Sequence, residues 1–425
     1  VLTPYADLLR RPGTLRFSAA GFVQRLPMSM LGLGVVLFLT LRGQSYGLAG
    51  AVSATGALAT AVIGPFLSRA IDRYTQHRVL PWAVTFSVVM QSAFVALVLV
   101  EAPVWTWFVA IALGEGFVPA VGSLIRARWA YVLTEAHDVR TAFALESVID
   151  EVVFVAGPPV ATLLAVSWES WGAIVASILL LIVGTVLLVP QRSTEPPAAG
   201  PEHHEGRAAI RYAGVPLVFA VFILVGGVFG STEVSTVAFA QEYDVRAWTG
   251  LLLALYALGS GISGLVLGTL HPRLPLHRQW MVALTALAVV GLPFPFVRSV
   301  VVLGAFSLLA GVAVAPTLIT GMALVERLVP AQRLTEGLTV AMAGLTVGFA
   351  AGTTVSGLLI DARGASAAFG VLTVCAVLAA LLAASGVRRL GRSLAVADRE
   401  RAEAEAEAGE AGDAGPAATE AGAPS

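Results

Sequence analysis

Residues 68–80 read SRAIDRYTQHRVL, and residues 273–278 read RLPLHR. In both segments an arginine is followed, after three intervening residues, by the pair His-Arg, and the two arginines, Arg73 and Arg273, are 200 positions apart. Each segment comes directly after a long apolar run, and the same offset also matches glycines and alanines within those runs. We therefore predict that the chain consists of two related halves with their elements in the same order.

The composition of the chain restricts its class. Of 425 residues, 57% are hydrophobic and 12% are charged, whereas a soluble globular domain carries about 25% charged residues. One helix of about 20 apolar residues crosses a bilayer, so this hydrophobic content suffices for about twelve crossings. The composition predicts an all-α membrane protein that crosses the bilayer many times, and it excludes soluble enzymes and nucleic-acid binders.

Twelve apolar runs lie along the sequence, and each is long enough to predict one membrane-spanning helix. The second and the eighth run are interrupted by glycines. An even number of spans puts both termini on the same side of the membrane. The runs cover residues 15–41, 46–71, 79–100, 104–124, 141–166, 171–189, 215–240, 249–270, 280–297, 300–325, 338–360 and 367–386.

The distribution of arginines orients these spans. All 26 basic residues are Arg, and with the N-terminus inside, 21 of them fall on the inner side. The outer side holds Arg42, Arg246, Arg298 and Arg363, and Arg25 lies within a span. Because cytoplasmic loops carry the excess of basic residues, we expect both termini to be cytoplasmic. The absence of Lys and Asn, whose codons are rich in A, indicates a GC-rich bacterial genome and hence the bacterial plasma (inner) membrane.

Changes in composition divide the chain into four parts. Residues 1–189 and 213–390 each contain six predicted spans. Residues 190–212 are rich in proline and charge and form a predicted cytoplasmic linker. Residues 391–425 run into an acidic, low-complexity stretch, which predicts a disordered cytoplasmic tail.

The segment between the second and third spans resembles the loop motif of the major facilitator superfamily, G-x-L-A-D-R-x-G-R-R-x-x-L. Asp72, Arg73, Arg78 and Leu80 match it, while both glycines of the motif are replaced. The resemblance implies a fold of twelve transmembrane helices in two pseudo-symmetric six-helix bundles, and a transporter rather than an enzyme. It also implies that Asp72, Arg73 and Arg78 act as a gate that ties the halves together on the cytoplasmic side.

Two shorter segments are similar to motifs of the drug:proton antiporters within that family. The span-five motif, G-x-x-x-G-P-x-x-G-G, is represented by Gly157 and Pro158. The span-four motif, R-x-x-Q-G-x-G, has Ala112 at its arginine and Glu115 at its glutamine. The resemblance implies proton coupling, although the missing arginine removes one element of the usual pattern.

Charged residues within the spans are candidates for function. An ionised group at the bilayer centre costs about 2.5–3.5 kcal/mol on insertion scales, so each one needs a reason. The candidates for proton coupling or for lining a substrate cavity are Arg25, Glu115, Glu146, Asp150 and Glu233. We expect Arg25 to pair with Glu115 or Asp150. Glu146 and Asp150 are four residues apart on one helix face, and two neighbouring carboxylates are expected to raise the pKa of one of them. The alternative is that these acids form structural ion pairs or line a wet cavity without titrating.

The predicted function is the export of a small, partly apolar compound by proton antiport with alternating access. No G-x4-G-K-[ST] nucleotide-binding motif occurs, so a proton gradient is the expected energy source. The alternative is transport of a polar metabolite, such as a sugar or an amino acid, by symport, antiport or uniport. A third class is a sensor or lipid-handling protein that does not transport, for which the acidic tail is the only sign.

The remaining expectations concern partners. We predict a small-molecule substrate and the lipid bilayer as partners, with no cofactor, no metal and no nucleic acid. Cys375 is the single cysteine and lies in an apolar run, which predicts no disulfide. The family resemblance implies a monomer.

Overall fold

A computed structural model of the chain describes residues 3–198, 209–269, 274–330 and 333–413, and these residues form helices and connections without a strand. The helices begin and end as follows: α1 (Thr3–Arg10), α2 (Thr14–Leu41), α3 (Tyr46–Tyr74), α4 (Gln76–Leu99), α5 (Val104–Gly116), α6 (Val121–Val132), α7 (Ala136–Ser167), α8 (Gly172–Leu188), α9 (Val215–Glu242), α10 (Thr249–Thr269), α11 (Leu276–Gly291), α12 (Val300–Leu328), α13 (Leu334–Arg363) and α14 (Ala365–Asp413).

Eleven helical segments in the described part of the chain are long and apolar enough to cross a membrane. Helices α5 and α6 together form one of them, Val104–Val132, and Pro119 lies in the short interruption between the two, where a residue without an N–H breaks the helix. The predicted sixth span is α8, which is apolar but has 17 residues. At 1.5 Å per residue it is about 26 Å long, somewhat less than the ~30 Å of a hydrocarbon core. The structure therefore gives eleven full-length spans and one short apolar helix where the sequence predicts twelve spans.

Contacts between residues that are distant in sequence define the two ends of the helical bundle. The linker side is the end at which α8 ends and α9 begins; there Gly214 packs against Leu390. The hairpin side is the opposite end, where short connections join consecutive helices. On that side the Tyr46 amide donates a hydrogen bond to Asp361 Oδ1 at 2.8 Å. Both termini of the helical bundle therefore belong to the linker side.

The first spans of the two halves begin in the same way. Helix α2 follows Gly13, with φ of 84°, and helix α9 follows Gly214, with φ of 98°. Both glycines adopt the left-handed conformation, which a residue without a Cβ atom reaches without steric cost. This common start agrees with the pseudo-symmetry of the two bundles.

The two halves, α1–α8 and α9–α14, meet chiefly through α3 against α13 and through α7 against α10. A Cβ atom on Gly50 would lie 2.5 Å from the Thr353 carbonyl oxygen, and one on Gly250 would lie 2.5 Å from the Pro158 carbonyl oxygen. Small residues allow helix backbones to approach this closely within a membrane. Both contacts lie toward the hairpin side, so the halves are closed there.

Toward the linker side the halves separate. Most residues at positions 46–56 of α3 are buried, whereas Leu67 and Ile71 are the buried residues in the remainder of that helix. These two pack against Leu80 of the same half. Of the ten buried residues described in α13, six lie in its second half, on the hairpin side. On the linker side each half instead has buried clusters of its own, and from this we infer a cleft between the halves that opens to the linker side.

The contact at Gly250 gives a prediction about this conformation. We expect Gly250→Ala to move the halves apart on the hairpin side, because the added Cβ would stand 2.5 Å from a backbone oxygen of Pro158. Spin labels at the exposed positions Val100 and Phe296 should report a longer distance in the variant than in the parent. Gly64→Ala is the matched control, since nothing lies within 4 Å of its Cβ position. An unchanged distance in Gly250→Ala would contradict this view of the interface.

The chain differs from the sequence expectation at its C-terminal end. Helix α14 continues to Asp413, whereas we predict a disordered tail from residue 391. Alanine, glutamate and arginine dominate residues 394–408, and these are strong helix formers, so the helix extends past the last apolar turn. Residues 414–425 lie outside the described residues, as do Arg273 and residues 199–208 of the predicted linker.

Candidate functional site

Arg25 on α2 is buried against two acidic side chains of α7. Its Nη1 donates a hydrogen bond to Asp150 Oδ1 at 2.9 Å, and its Nη2 contacts Glu146 Oε2. Glu146 is fully buried and also accepts hydrogen bonds from Ser18 Oγ at 3.0 Å and Trp129 Nε1 at 2.7 Å. Of the two alternative partners predicted for Arg25, Asp150 is therefore in contact and Glu115 is not, while Glu146 is a second partner that the prediction did not include.

A second arginine completes this cluster. Arg126 on α6 donates from Nη2 to Asp150 Oδ2 at 2.8 Å, so Asp150 lies between two guanidinium groups. We call Arg25, Arg126, Glu146 and Asp150 the arginine network. Its two positive and two negative charges balance, because a buried charge is tolerated only when it is paired. From the sequence, Arg126 is only one of the arginines on the inner side of the membrane. Nothing in its spacing along the chain points to Asp150.

Glu115 lies apart from the arginine network, at the end of α5. Its carboxyl group occupies the space that a Cβ atom on Gly56 of α3 would fill. Its backbone oxygen accepts a hydrogen bond from Thr60 Oγ1 at 3.0 Å. The side chain is half-buried, and its Oε1 is sealed from solvent without a hydrogen-bond partner. The C-terminal end of a helix favours a positive charge rather than a negative one, so this carboxyl group is placed to hold a proton or a cation.

Glu233 on α9, in the other half, lies near the stretch of α3 that Glu115 contacts. A Cβ atom on Gly32 would lie 3.5 Å from Glu233 Oε1 and 3.6 Å from Ser53 Oγ. The Oε1 atom of Glu233 is also buried without a partner. Among the described residues, no arginine or histidine forms an ion pair with either side chain. We call Glu115 and Glu233 the glutamate pair.

The glutamate pair lies near the middle of the membrane. Glu233 is nine residues from the hairpin-side end of α9, and Gly56 is ten residues from the hairpin-side end of α3. At 1.5 Å per residue these positions are about 14 and 15 Å deep. Two carboxyl groups from different halves therefore lie at about one depth, beneath the closed hairpin side.

Aromatic and hydroxyl groups lie on this part of α9 and against it. The rings of Phe229 and Tyr256 meet edge to face, with 5.8 Å between their centroids. The Tyr256 hydroxyl is buried without a hydrogen-bond partner, as are the hydroxyls of Ser235 and Thr236. Unpartnered buried hydroxyl groups are uncommon in folded proteins, and they are available to a polar ligand or to water.

Gly157 and Pro158 lie where α7 passes between helices of both halves. A Cβ atom on Gly157 would overlap Ser29 of α2, and the Pro158 carbonyl packs on Gly250 of α10. Ser29 Oγ donates to the Val153 carbonyl at 2.8 Å, which adds a hydrogen bond next to the proline-containing turn. The Gly-Pro segment thus allows close packing at the junction between the halves.

Asp72, Arg73 and Arg78 lie at the linker-side ends of α3 and α4, and all three are exposed. The Arg73 guanidinium lies over the ring of Tyr74, 5.3 Å from its centroid. The predicted gating residues therefore lie on the linker side of the bundle.

The start of the linker packs on this loop, which the sequence did not indicate. The Glu195 carboxylate accepts a hydrogen bond from the His77 amide at 2.8 Å and contacts His77 Nδ1 at 2.9 Å. Next to it, the fully buried Arg128 donates to the Gln191 carbonyl at 2.7 Å and to Thr194 Oγ1 at 2.9 Å. Residues 191–195 are thereby fixed to the first half.

Glu195→Ala should release this part of the linker. The substitution removes both contacts with His77, each worth about 1 kcal/mol, so we expect trypsin to cleave after the exposed Arg192 up to about thirtyfold faster. Limited proteolysis in detergent measures the rate. The exposed Glu169, changed to Ala, serves as the control; equal rates for all proteins would show that the contact does not hold the linker.

Comparison with known proteins agrees with this architecture. The sequence profile described as Major Facilitator Superfamily matches residues 17–307. No significant match was found among curated protein sequences.

Three solved structures illustrate the similarity of fold. The nucleoside transporter NupG has a TM-score of 0.67 at 15% identity, covering 88% of this chain and 98% of that chain. The POT family transporter PepTSo gives 0.65 at 13% identity, with coverage of 90% and 98%. A bacterial homologue of the iron transporter ferroportin, in an inward-facing state, gives 0.64 at 18% identity, with coverage of 88% and 99%. At these identities the likeness concerns the fold alone.

Proposed function

The chain belongs to the major facilitator superfamily, and on this basis we propose that it exports a small, partly apolar compound in exchange for protons. The observation that carries the proposal is the glutamate pair. Its two carboxyl groups come from opposite halves, lie at mid-membrane depth and have no basic partner among the described residues. A carboxyl group that gains and loses a proton as the halves move is what proton coupling requires.

The arginine network has a different role in this proposal. Its charges are already balanced by hydrogen-bonded ion pairs, so its acids have less reason to exchange protons than the glutamate pair. It fixes α2, α6 and α7 against one another and lets the first half move as a rigid body.

Orientation follows from the arginine distribution. The linker side carries most of the arginines, so we assign it to the cytoplasm of a bacterial plasma membrane. The cleft of the structure then opens to the cytoplasm, where an exporter takes up its substrate. Rocking of the halves would close the cleft near Asp72, Arg73 and Arg78 and open the hairpin side, with a monomer as the working unit.

A second candidate function is transport of a polar metabolite on the same fold. The buried, unpartnered hydroxyls of Ser53, Ser235, Thr236 and Tyr256 favour it, since a polar substrate would satisfy them. Two of the similar structures are named as a nucleoside transporter and a POT family transporter. The two candidates differ in which compound moves.

Proton movement in proteoliposomes tests the proposal. A pH-sensitive dye is enclosed, and compounds are added outside: lipophilic amines, apolar antibiotics, sugars, amino acids and nucleosides. The proposal expects a proton signal from the partly apolar compounds that exceeds the signal of protein-free liposomes. A signal from polar metabolites alone would support the second candidate, and no signal from folded protein with any compound would contradict proton coupling.

A further inference from the structure

The first turn of α3 is incomplete within its own half. The amides of its first three residues, Tyr46, Gly47 and Leu48, have no acceptor inside the helix, as at every helix N-terminus. Ser45 precedes them as the N-cap, and its Oγ accepts a hydrogen bond from the Leu48 amide at 3.2 Å. The amides of Tyr46 and Gly47 therefore need an acceptor from another part of the chain.

Asp361 of α13, in the second half, supplies both acceptors. Its Oδ1 accepts a hydrogen bond from the Tyr46 amide at 2.8 Å, and its Oδ2 accepts one from the Gly47 amide at 2.7 Å. The first turn of α3 contains no acidic residue of its own, and the N-terminal end of a helix attracts negative charge. One carboxylate thus joins the two halves by completing the first turn of a helix in the other half.

The packing of α13 on α3 is shaped for this contact. Thr353, Gly357 and Asp361 are four residues apart, so they share one face of α13. A Cβ atom on Gly357 would overlap the Tyr46 carbonyl oxygen, and one on Gly47 would lie 2.9 Å from Asp361 Oδ2. Two glycines therefore let the carboxylate reach backbone N–H groups that a larger side chain would keep at a distance.

The Tyr46 side chain adds a second connection between the halves. Its hydroxyl donates a hydrogen bond to Gln241 Oε1 at 2.9 Å, at the hairpin-side end of α9. The neighbouring Glu242 carboxylate accepts a hydrogen bond from the Ala365 amide at 2.6 Å, which ties the end of α9 to the start of α14. The start of α3 is thus held against residues that are themselves joined within the second half.

The contact of Asp361 with α3 can also be broken at a modest cost. Asp361 is exposed, so water can replace both of its partners when the halves separate. An exposed charged contact is much weaker than a buried ion pair such as that of Arg25 with Glu146. This contact therefore favours the closed hairpin side without making it permanent.

We propose that Asp361 is the latch of the hairpin side: its carboxylate completes the first turn of α3 from the other half and so holds that side shut. The latch opens when the halves move apart and water binds the two amides. It depends on the negative charge of Asp361, which the helix end attracts. The inference goes beyond the proposed function, because the latch acts whichever compound or ion the protein transports.

Asp361→Asn tests the latch. Spin labels at Val100 and Phe296, in a Cys375→Ser background, measure the distance between the halves on the hairpin side in detergent. We expect the population with the longer distance to rise about fivefold, since the amide has no charge and one acceptor oxygen for two amides. Asp244→Asn is the matched control: Asp244 is exposed on the same side, and asparagine readily adopts its φ of 55°. It should leave the distance distribution unchanged.

Ser45→Asp tests the latch with Asp361 in place. Aspartate and asparagine are N-caps as good as serine, so α3 stays intact in Ser45→Asp and in its control, Ser45→Asn. A carboxylate at position 45 would serve the helix end from within the first half and repel Asp361. We therefore expect about a threefold larger long-distance population in Ser45→Asp and no change in Ser45→Asn.

Two results would overturn the inference. One is a distance distribution in folded Asp361→Asn that equals that of the parent protein. The other is an equal effect of Ser45→Asp and Ser45→Asn, because the latch requires an effect of charge and not of capping. Should Asp361→Asn not fold, the two substitutions of Ser45 decide the question alone.

Discussion

Arg25→Met should lower the free energy of unfolding by about 3–5 kcal/mol, the usual cost of removing one member of a buried ion pair. Arg25 and Glu146 have side chains that are 1% and 0% exposed, and Asp150 is the second partner. Without the guanidinium group, Glu146 keeps its bonds from Ser18 and Trp129 but loses its ion pair with Arg25. Thermal unfolding in detergent, followed by tryptophan fluorescence, measures the loss.

The double variant Arg25→Met/Glu146→Gln is the control for this prediction. The amide oxygen introduced at position 146 would still accept from Ser18 and Trp129, and the buried charge would be gone. We expect the double variant to recover much of the lost stability, because a buried charge costs more than a buried neutral group that is hydrogen-bonded. A single variant as stable as the parent would mean that the arginine network does not hold the first half together.

Glu115→Gln should reduce compound-dependent proton movement to the level of protein-free liposomes. Glutamine keeps the shape of the side chain and removes the group that exchanges a proton. Since Glu115 has no ion pair among the described residues, we expect the unfolding temperature to stay at or above that of the parent. The dye assay measures the protons, and Glu169→Gln is the control that should keep full activity.

Asp150→Asn distinguishes the two acidic clusters. Asp150 lies between Arg25 and Arg126, so its substitution should reduce stability and leave part of the proton signal. If Asp150→Asn abolished proton movement and Glu115→Gln did not, the proton site would belong to the arginine network. The glutamate pair would then have a structural or substrate-binding role only.

Much of the fold could be predicted from the sequence, because bilayer physics acts on composition and length. The apolar runs predict the helices, and a membrane-embedded chain has few alternatives to helices. The apolar run 171–189 also predicts the short α8, Gly172–Leu188, to within one residue at each end. The extension of α14 was not predicted, because an alanine- and glutamate-rich stretch has low complexity although it favours helix.

The charged residues of the candidate site could be predicted from the sequence, but the contacts between them could not. The cost of burying charge selects Arg25, Glu115, Glu146, Asp150 and Glu233 from the sequence. Which of them meet depends on helix rotation and on the interruption of span four near Pro119, after which Arg126 turns toward Asp150. Neither the rotation of a helix nor the effect of an interruption can be read from the spacing of residues along one helix. The contact of Glu195 with His77 crosses more than a hundred residues, and no local pattern indicates it.

Uptake driven by an imposed pH gradient tests the central claim, proton antiport, most directly. Proteoliposomes are prepared with an acidic lumen, with no gradient and with an alkaline lumen, and the compound with the largest proton signal is added at equal concentration on both sides. Accumulation in protein-free liposomes is subtracted. We predict net accumulation when the lumen is acidic, none without a gradient, depletion when the lumen is alkaline, and none of these effects in Glu115→Gln. Accumulation with an alkaline lumen, or equal concentrations under all three conditions, would contradict antiport.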